Sequence, residues 1–267
     1  MNEATEIKEG AVGLFDILGY KQLLRNNEIE LVVDLLHEDI PPLRGESEHW
    51  VKEIVSLLRK EHESHPFVDA AEKALPETQW LLFSDTILLA MPIPSSLETD
   101  EKVARWVVFL EQVLRVHCLL FRAGLPIRGA VSLGAYFFNE QPPFFVGKGL
   151  VEAYEEAQSQ DWAGSVVCER AEEELEVLKN ESVLLRDTLP EYVIRYAVPF
   201  KRGESVVRPC VNWPRHFNRD DLTAFNIREM VLAAYLRHNK QVGEREMTKA
   251  NDTEAFILQS RINRLRE

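Results

Sequence analysis

Two apolar runs in the first third of the chain each carry an aspartate near one end. Residues 11–18 read Ala-Val-Gly-Leu-Phe-Asp-Ile-Leu, and residues 80–90 read Trp-Leu-Leu-Phe-Ser-Asp-Thr-Ile-Leu-Leu-Ala. Both compositions are typical of strands buried in the middle of a sheet. The second run predicts a hairpin that continues to Pro92, with Asp85 near its tip. Neither Asp16 nor Asp85 stabilises the apolar strand that carries it, and a buried carboxylate needs a partner.

The rest of the chain alternates between helical and strand-like patterns. A helix that begins at the capping residues Thr99 and Asp100 continues until Gly124 and Pro126 stop it. The Pro-containing segment 40–45 separates the first two helices that the spacing of Leu, Ile and Val predicts. The other predicted helices cover 21–36, 49–61, 150–158, 222–238 and 253–265, and further strands cover 127–137, 165–168, 192–200 and 206–213.

This order of elements predicts one fold class. The order β-α-α-β-β-α-β-α-β fits an α+β sandwich, with helices over one face of a largely antiparallel sheet. We expect residues 1–180 to form the main domain, with a helical insertion near 38–76. Residues 181–267 then form an extension of strands and helices that packs on the same core. An oligomerisation element is the alternative for this tail.

Composition and charge narrow the class of protein. With 267 residues and 45% hydrophobic content, the chain can bury one sizeable core. It has neither an apolar run of about 18 residues nor a basic start followed by an apolar stretch. We therefore expect no membrane span, no signal peptide and a cytoplasmic location. The net charge of -13 argues against polymeric nucleic acid as a partner, but leaves room for a local pocket that binds one triphosphate.

The cysteines offer no disulfide framework. Cys118, Cys168 and Cys210 are odd in number and widely spaced, which also argues against a CxxC metal site. They are predicted to be inert thiols in the core.

The two aspartates predict a cation site if their strands are neighbours. Asp16 and Asp85 would then meet, and like charges that close repel unless they share a proton or a divalent cation. Either aspartate alone has a simpler interpretation, because an Asp at a strand end is commonly a turn or helix cap and Asp16 lies shortly before Gly19. The pair favours a Mg²⁺ site.

Four strings occur in an order that resembles the catalytic domain of class III nucleotidyl cyclases, over roughly residues 10–170. They are Phe15-Asp16-Ile17-Leu18-Gly19-Tyr20, Phe83-Ser84-Asp85, Arg128-Gly129-Ala130-Val131-Ser132-Leu133-Gly134, and Val146-Gly147 at the start of a helix. The resemblance implies a ferredoxin-like sandwich and a homodimer whose active sites are completed across the two-fold interface. It also implies two Mg²⁺ or Mn²⁺ ions held by Asp16 and Asp85, with the Ile17 carbonyl as a further ligand. The amides from Leu18 to Tyr20 would cradle phosphates.

The departures from that family are equally informative. The stretch 80–83 has no polar side chain where purine cyclases carry a base-reading Lys or Glu, and Val151 and Glu155 stand where they carry Asn and Arg. The chain is therefore either a degenerate domain or an enzyme with another base specificity. The string 146–155, with Pro126 to Ala130 before it, resembles the pyrimidine cyclases of bacterial Pycsar anti-phage systems.

That resemblance implies the conversion of UTP or CTP to cyclic UMP or cyclic CMP and pyrophosphate. The cyclic product would be an antiviral second messenger that a separate effector protein reads. The resemblance favours UTP. A base pocket lined by Leu81, Phe83 and Phe144 would suit a small ring that lacks a purine edge.

Positive groups for the phosphates come from residues near these motifs. Lys21, Arg128 and Lys148 are the candidates, and Lys148 is preferred because Gly147 and Gly149 flank it at a helix N-terminus. A solvated surface charge is the alternative for each of them. Further substrate contacts are expected from the loop and turn residues, together with two aromatic side chains: Gly19, Ser84, Tyr20 and Phe144. Tyr20 is equally compatible with stacking on a base or ribose and with packing in the core.

Two other functions stay open. The missing Arg is compatible with a catalytically inactive cyclase-like module that binds a nucleotide or a partner. Paired aspartates also serve polymerase-like and phosphodiesterase enzymes, because any phosphoryl transfer can use a cation held this way.

Overall fold

The computed structural model describes residues 6–61, 66–217 and 224–265. The strands are β1 (Lys8–Ile17), β2 (Gln79–Phe83), β3 (Thr86–Pro92), β4 (Ile127–Asn139), β5 (Phe144–Gly147), β6 (Ser165–Val167), β7 (Val193–Pro199) and β8 (Ser205–Val211). The helices are α1 (Tyr20–Asn26), α2 (Ile29–Asp34), α3 (Ile40–Glu61), α4 (Pro66–Ala74), α5 (Thr99–Arg122), α6 (Lys148–Ser159), α7 (Glu169–Glu181), α8 (Val183–Tyr192), α9 (Ala224–Leu236) and α10 (Glu244–Arg264). Short π or 3-10 turns cover 35–39, 75–77 and 213–216.

Within these residues, eight strands form one mixed sheet. The strand order is β2-β3-β1-β4-β6-β8-β7, and β5 pairs with the outer part of β4. All neighbouring strands are antiparallel except β4 and β6, which run parallel. The predicted α+β class with a largely antiparallel sheet is therefore confirmed. Because β8 pairs with β6, the strands after residue 181 extend the same sheet.

Helices lie against both faces of the central strands. A Cβ added to Gly13 of β1 would touch the ring of Phe109, which places α5 on one face. A Cβ added to Gly149 would lie 3.4 Å from Val12 and 3.0 Å from the hydroxyl of Ser132, so α6 lies on the opposite face. The predicted helical layer on one face corresponds to α5 with α3 and α4 packed against it. Helix α6 is an addition on the other face.

Most predicted elements are present, but the helix predicted over 21–36 is two helices, α1 and α2, and two further boundaries differ. The hairpin at Asp85 and the helix from Thr99 to Gly124 are as expected. The segment 40–45 does not separate two helices but forms the first turns of α3. The π turn at 35–39 runs directly into α3, so helical backbone continues through Pro41 and Pro42 instead of ending before them. Helix α10 begins at Glu244, after Gly243, and so is longer than the predicted 253–265.

The residues after 236 are fastened to the first helix. Gln22 accepts a hydrogen bond from the backbone N–H of Gln241, and the side chains of Asn26 and Asn27 donate to the backbone carbonyls of Asn239 and His238. The tail thus packs beside the loop that follows β1. All three cysteines are free and buried, as predicted: Cys118, Cys168 and Cys210. In the part of the chain that the structure describes, no helix is long and apolar enough to span a membrane.

Candidate active site

Asp16 lies at the end of the central strand β1, between its two neighbouring strands. It is directly opposite Thr86 of β3 and directly opposite Arg128 of β4. Its side chain is only 14% exposed, so the polar groups around it decide its ionisation. The sheet register therefore brings two residues of the predicted motifs, Asp16 and Arg128, to one place.

Asp85 reaches the same corner through the β2–β3 turn. This turn has two residues, and Ser84 adopts the left-handed conformation with a φ of 58°. The Asp85 carbonyl accepts a hydrogen bond of 2.9 Å from the backbone N–H of Ile17. The two predicted carboxylates, with Ile17 and Ser84 beside them, thus belong to one cluster at the end of the sheet.

The carboxylate of Asp16 is held by two hydrogen bonds. The hydroxyl of Thr86 donates to Oδ1 at 2.9 Å, and the amide of Gln158 at the end of α6 donates to Oδ2 at 2.5 Å. Burial raises the pKa of Asp16 above its usual value, and the nearby charge of Asp85 raises it further. The hydrogen bond from Thr86 and the charge of Arg128 oppose this shift.

Arg128 is a buried cation beside the pair. Its guanidinium donates to the backbone carbonyl of Gln160 at 2.9 Å and to Oε1 of Gln158 at 3.2 Å. Its Nη2 lies 3.9 Å from Oδ2 of Asp16. The residue is only 6% exposed, and burial lowers the pKa of Arg128. Arg128 therefore counters the charge of Asp16 from inside the protein, with little surface of its own.

The loop after β1 turns sharply at Gly19. Gly19 has a φ of +78° and its carbonyl accepts from the backbone N–H groups of Gln22 and Leu23, so it opens α1. Gly19 and Lys21 are exposed, whereas Tyr20 is half-buried and packs against the core. The packing of Tyr20 agrees with the core alternative weighed for this residue.

A buried lysine supports this loop from below. The ammonium group of Lys240 donates to the carbonyls of Gly124 at 2.6 Å and Ala234 at 3.1 Å, and the residue is only 6% exposed. Burial lowers the pKa of Lys240 to about 8. A Cβ at Gly19 would lie 3.1 Å from the Lys240 side chain. The C-terminal segment thus fixes the position of the Gly19 loop.

Lys148, the preferred positive group for the phosphates, lies far from the aspartates of the same chain. Gly134 of β4 touches Gly149, whereas Asp16 pairs with Arg128 at the other end of that strand. At about 3.3 Å per residue, the start of α6 at Lys148 is about 20 Å away along the sheet. Lys148 is exposed there.

The base pocket expected from Leu81, Phe83 and Phe144 does not exist within one chain. Leu81 and Phe83 lie on β2 beside the aspartate corner, and Phe83 is 75% exposed. Phe144 pairs with Asn139 at the far end of β4 and is exposed. The separation arises because β5 folds back on β4 beyond the region where β4 pairs with β1.

A second group of charges lies near the pair and carries no signal in the sequence. Asp161 lies 3.5 Å from the ammonium of Lys249 and 3.6 Å from the guanidinium of Arg245, both on α10. Lys201, in the β7–β8 turn, donates its backbone N–H to the Ser159 carbonyl at the end of α6. Lys201, Arg245 and Lys249 are distant in sequence from every motif, so only the folding of the tail against α6 brings them to Asp161.

The residues at the corner fit a divalent cation. Two carboxylates with a buried member and a raised pKa gain when a cation joins them, because it relieves both desolvation and repulsion. Among the described residues, no group of three or more His, Cys, Asp or Glu side chains is arranged to hold a metal. Any further ligands would therefore be backbone carbonyls, water or substrate oxygens, which Mg²⁺ accepts readily.

Comparison with known proteins gives structural likeness only. No protein-family model and no curated protein matches the sequence. The fold is similar to the adenylyl cyclase CyaB from P. aeruginosa (15% identity, TM-score 0.41), with 82% of this chain and 98% of that chain covered.

Two further solved structures are similar at 11% identity. The catalytic core of a rhodopsin-guanylyl cyclase with converted specificity, in complex with ATPalphaS, has a TM-score of 0.42, and the match covers 77% of this chain and 96% of that one. A bacterial light-regulated adenylyl cyclase has a TM-score of 0.37, with 84% and 99% covered. Because these TM-scores lie below 0.5, we base function on the geometry of this chain.

Proposed function

We propose that this protein is a nucleotide cyclase of the class III type that converts UTP, or CTP, to its 3′,5′-cyclic monophosphate and pyrophosphate. The observation that carries the proposal is the meeting of Asp16 and Asp85 at one corner of the sheet, where the Ile17 N–H bonds the Asp85 carbonyl at 2.9 Å. The order of motifs around these residues supports the choice of cyclisation among phosphoryl transfers. The pyrimidine base and the antiviral role rest on the string 146–155.

The chemistry requires the ribose 3′ oxygen to attack the α-phosphorus while the bond to the β-phosphate breaks. When bound, two Mg²⁺ or Mn²⁺ ions supply activation of the attacking hydroxyl and neutralisation of the leaving pyrophosphate. Asp16 and Asp85 would hold them, with the Ile17 carbonyl as a further ligand.

The chain's own residues prepare this corner before substrate binds. Thr86 fixes the orientation of the Asp16 carboxylate through its 2.9 Å hydrogen bond. Arg128 keeps a positive charge 3.9 Å from Asp16 and so favours the ionised form that a cation needs. Of the amides expected to cradle phosphates, the Leu18 N–H already donates to the Pro126 carbonyl at 2.8 Å, so that one is not free for a ligand. The exposed turn that begins at Gly19 is left to present the donors near the end of β1, where phosphates would lie.

A homodimer would complete the site. Lys148 and Phe144 lie about 20 Å or more from the aspartates of their own chain, so they can contribute only to a partner's site. Large apolar side chains are exposed on the elements involved, as an interface requires. They are Leu82, Phe83, Phe144, Val146, Val151 and Tyr154.

The decisive experiment is incubation of the purified protein with all four ribonucleoside triphosphates and Mn²⁺. We expect cyclic UMP or cyclic CMP to dominate, together with one pyrophosphate per product. A predominance of cyclic AMP or cyclic GMP would contradict the pyrimidine assignment. Release of nucleoside monophosphates or polymer would contradict cyclisation.

A catalytically inactive nucleotide-binding module is the second candidate. The 2.5 Å hydrogen bond from Gln158 occupies Oδ2 of Asp16, where a cation would have to bind. In this alternative Gln158 and Arg128 replace the cation as partners of the buried carboxylate. Saturable nucleotide binding without turnover of any of the four triphosphates, at several Mn²⁺ concentrations, would favour it.

A further inference from the structure

Four cations lie around Asp161 beside the aspartate pair: Arg128, Lys201, Arg245 and Lys249. Lys249 and Arg245 lie 3.5 and 3.6 Å from Oδ1 of Asp161. Burial first and then the charge of Arg128 lower the pKa of Lys201, and the charges of both α10 residues act in the same direction. Four cations in one place stand out in a chain of net charge -13, and the carboxylates of Asp16, Asp161 and Asp252 offset part of their charge. An anion placed among these groups would relieve their mutual repulsion.

The cluster opens toward the predicted phosphate loop. Lys249 lines a small cavity together with Leu18, Gly19 and a second cation, Lys240, and the carboxylate of Glu246 lines it as well. Burial raises the pKa of Asp16, and the positive charge of Lys201 opposes that shift. Lys201 therefore lies close to the Asp16 carboxyl. Lys249 thus borders the Gly19 turn, and Lys201 lies near the aspartate corner.

The two α10 cations have donors to spare. Their distances to Oδ1 of Asp161 are long for hydrogen bonds, and that oxygen is buried without a hydrogen-bond partner in the described part of the chain. The Arg245 side chain is 63% exposed, so it can turn toward a ligand, whereas Lys249 is 14% exposed and fixed in the wall. A guanidinium fork with an adjacent ammonium suits phosphate oxygens.

We propose that Arg245 and Lys249 of α10, with Lys201, bind the β- and γ-phosphates of the nucleoside triphosphate whose α-phosphate lies at Asp16 and Asp85. This inference rests on the proposed function for the identity of the ligand. It makes the C-terminal extension a part of the active site of its own chain.

The test uses inorganic tripolyphosphate, which carries the charges of the tail without a base or ribose. Binding to the full-length protein is measured by calorimetry in the presence of Mg²⁺, for the wild type and the Arg245→Gln/Lys249→Gln double variant. We expect each lost cation to weaken binding about 10-fold, as for other hydrogen bonds to charged groups. Arg261→Gln is the matched control, because it lies on the same helix about 18 Å from Lys249.

Every outcome separates the inference from the proposed function. Weaker tripolyphosphate binding in the double variant, with Arg261→Gln within about twofold of the wild type, supports the cation site even if no cyclic product forms. If the double variant unfolds cooperatively, and is therefore folded, and still binds tripolyphosphate as the wild type does, the cation site is overturned. This holds even if the wild type makes cyclic UMP. Absence of binding to the wild type overturns it as well. If the double variant does not fold, the single variant Arg245→Gln, whose side chain is exposed, replaces it. Its affinity for tripolyphosphate is then compared with those of the wild type and Arg261→Gln in the same way.

Discussion

The side-chain amide of Gln158 donates a 2.5 Å hydrogen bond to Oδ2 of Asp16, although the two residues are 142 positions apart. Helix α6 therefore ends directly over the end of β1. Gln158 also accepts from Arg128, so one side chain connects the buried carboxylate to the buried guanidinium. A cation that binds Asp16 at this oxygen has to displace the amide.

The first prediction follows from that competition. Replacing Gln158 with Ala removes the donor at Oδ2, so a divalent cation no longer has to break this hydrogen bond. We expect the affinity for Mn²⁺ to rise about 10-fold, since hydrogen bonds to charged groups contribute about 1.5–3 kcal/mol. Titration of Mn²⁺ by electron paramagnetic resonance measures the change.

Gln259→Ala on α10 is the control for that measurement, because Gln259 bonds Asn263 far from the corner. An unchanged or weaker affinity in Gln158→Ala, with normal folding, would mean that cations do not bind at Oδ2 of Asp16.

The second prediction concerns the two carboxylates. Asp16→Asn or Asp85→Asn removes a charge that the cations need, so turnover should fall at least about 100-fold. Folding should persist, because a neutral amide in place of the Asp16 carboxylate escapes both the charge desolvation and the repulsion that raise the pKa of Asp16. Rates of cyclic product formation and thermal unfolding are measured together.

The exposed Asp187→Asn on α8 is the matched control for these variants, and it should keep wild-type activity. Full activity of both site variants with unchanged dependence on Mn²⁺ would exclude the two-cation site.

The aspartate corner is accessible from sequence because each member of it interrupts an apolar strand. Asp16 and Asp85 stand out against Phe15 and Phe83, and a hairpin between 80 and 92 leaves few ways to pair the strands. That Arg128 lies opposite Asp16 follows from the register of β1 with β4, which the structure shows and the sequence analysis does not predict. Local patterns of this kind predict element type well, which explains why the hairpin at Asp85 and α5 agree with the structure.

The remaining neighbours depend on long-range packing that no local pattern encodes. Gln158 is one polar residue at the end of an acidic helix, and nothing in its surroundings marks it as the partner of Asp16. The cations of α10 reach the site because the tail is fastened to α1 by Gln22, Asn26 and Asn27. Lys148 shows that proximity to a motif in sequence does not bring a residue near the aspartates of its own chain, so its predicted role depends on a second copy.

The third prediction is a pH dependence of stability caused by His117. Its ring lies within 2.7 Å of the Ser165 hydroxyl, stacks on Trp213 and is fully buried. Burial lowers the pKa of His117 from 6.5 to about 3, so the unfolded chain binds a proton that the folded chain does not. The neutral ring makes its full contribution to the free energy of unfolding above pH 6.5. That contribution is lost as the pH falls toward 3.

Urea unfolding between about pH 7.5 and pH 4.5 measures this slope. The free energy of unfolding should fall less steeply with acid in His117→Gln than in the wild type. The exposed His49→Gln on α3 should keep the wild-type slope. Equal slopes in all three proteins would show that protonation of His117 does not contribute to acid unfolding.

The last prediction tests whether the active site is shared between two copies. If Lys148 of one chain serves the aspartates of its partner, Asp16→Asn and Lys148→Ala each disable both sites of a homodimer. A mixed dimer retains one intact site, because both substitutions then fall in the other site. Random exchange of subunits at equal concentrations yields half mixed dimers, so activity should return to about one quarter of the wild-type value. Light scattering should give twice the monomer mass for each variant.

Mixing Asp16→Asn with Asp85→Asn is the matched control. Both residues belong to the corner of the same chain, so no mixed dimer regains a complete site. Recovery in that control equal to the first mixture, or a fully active monomer, would contradict the shared site.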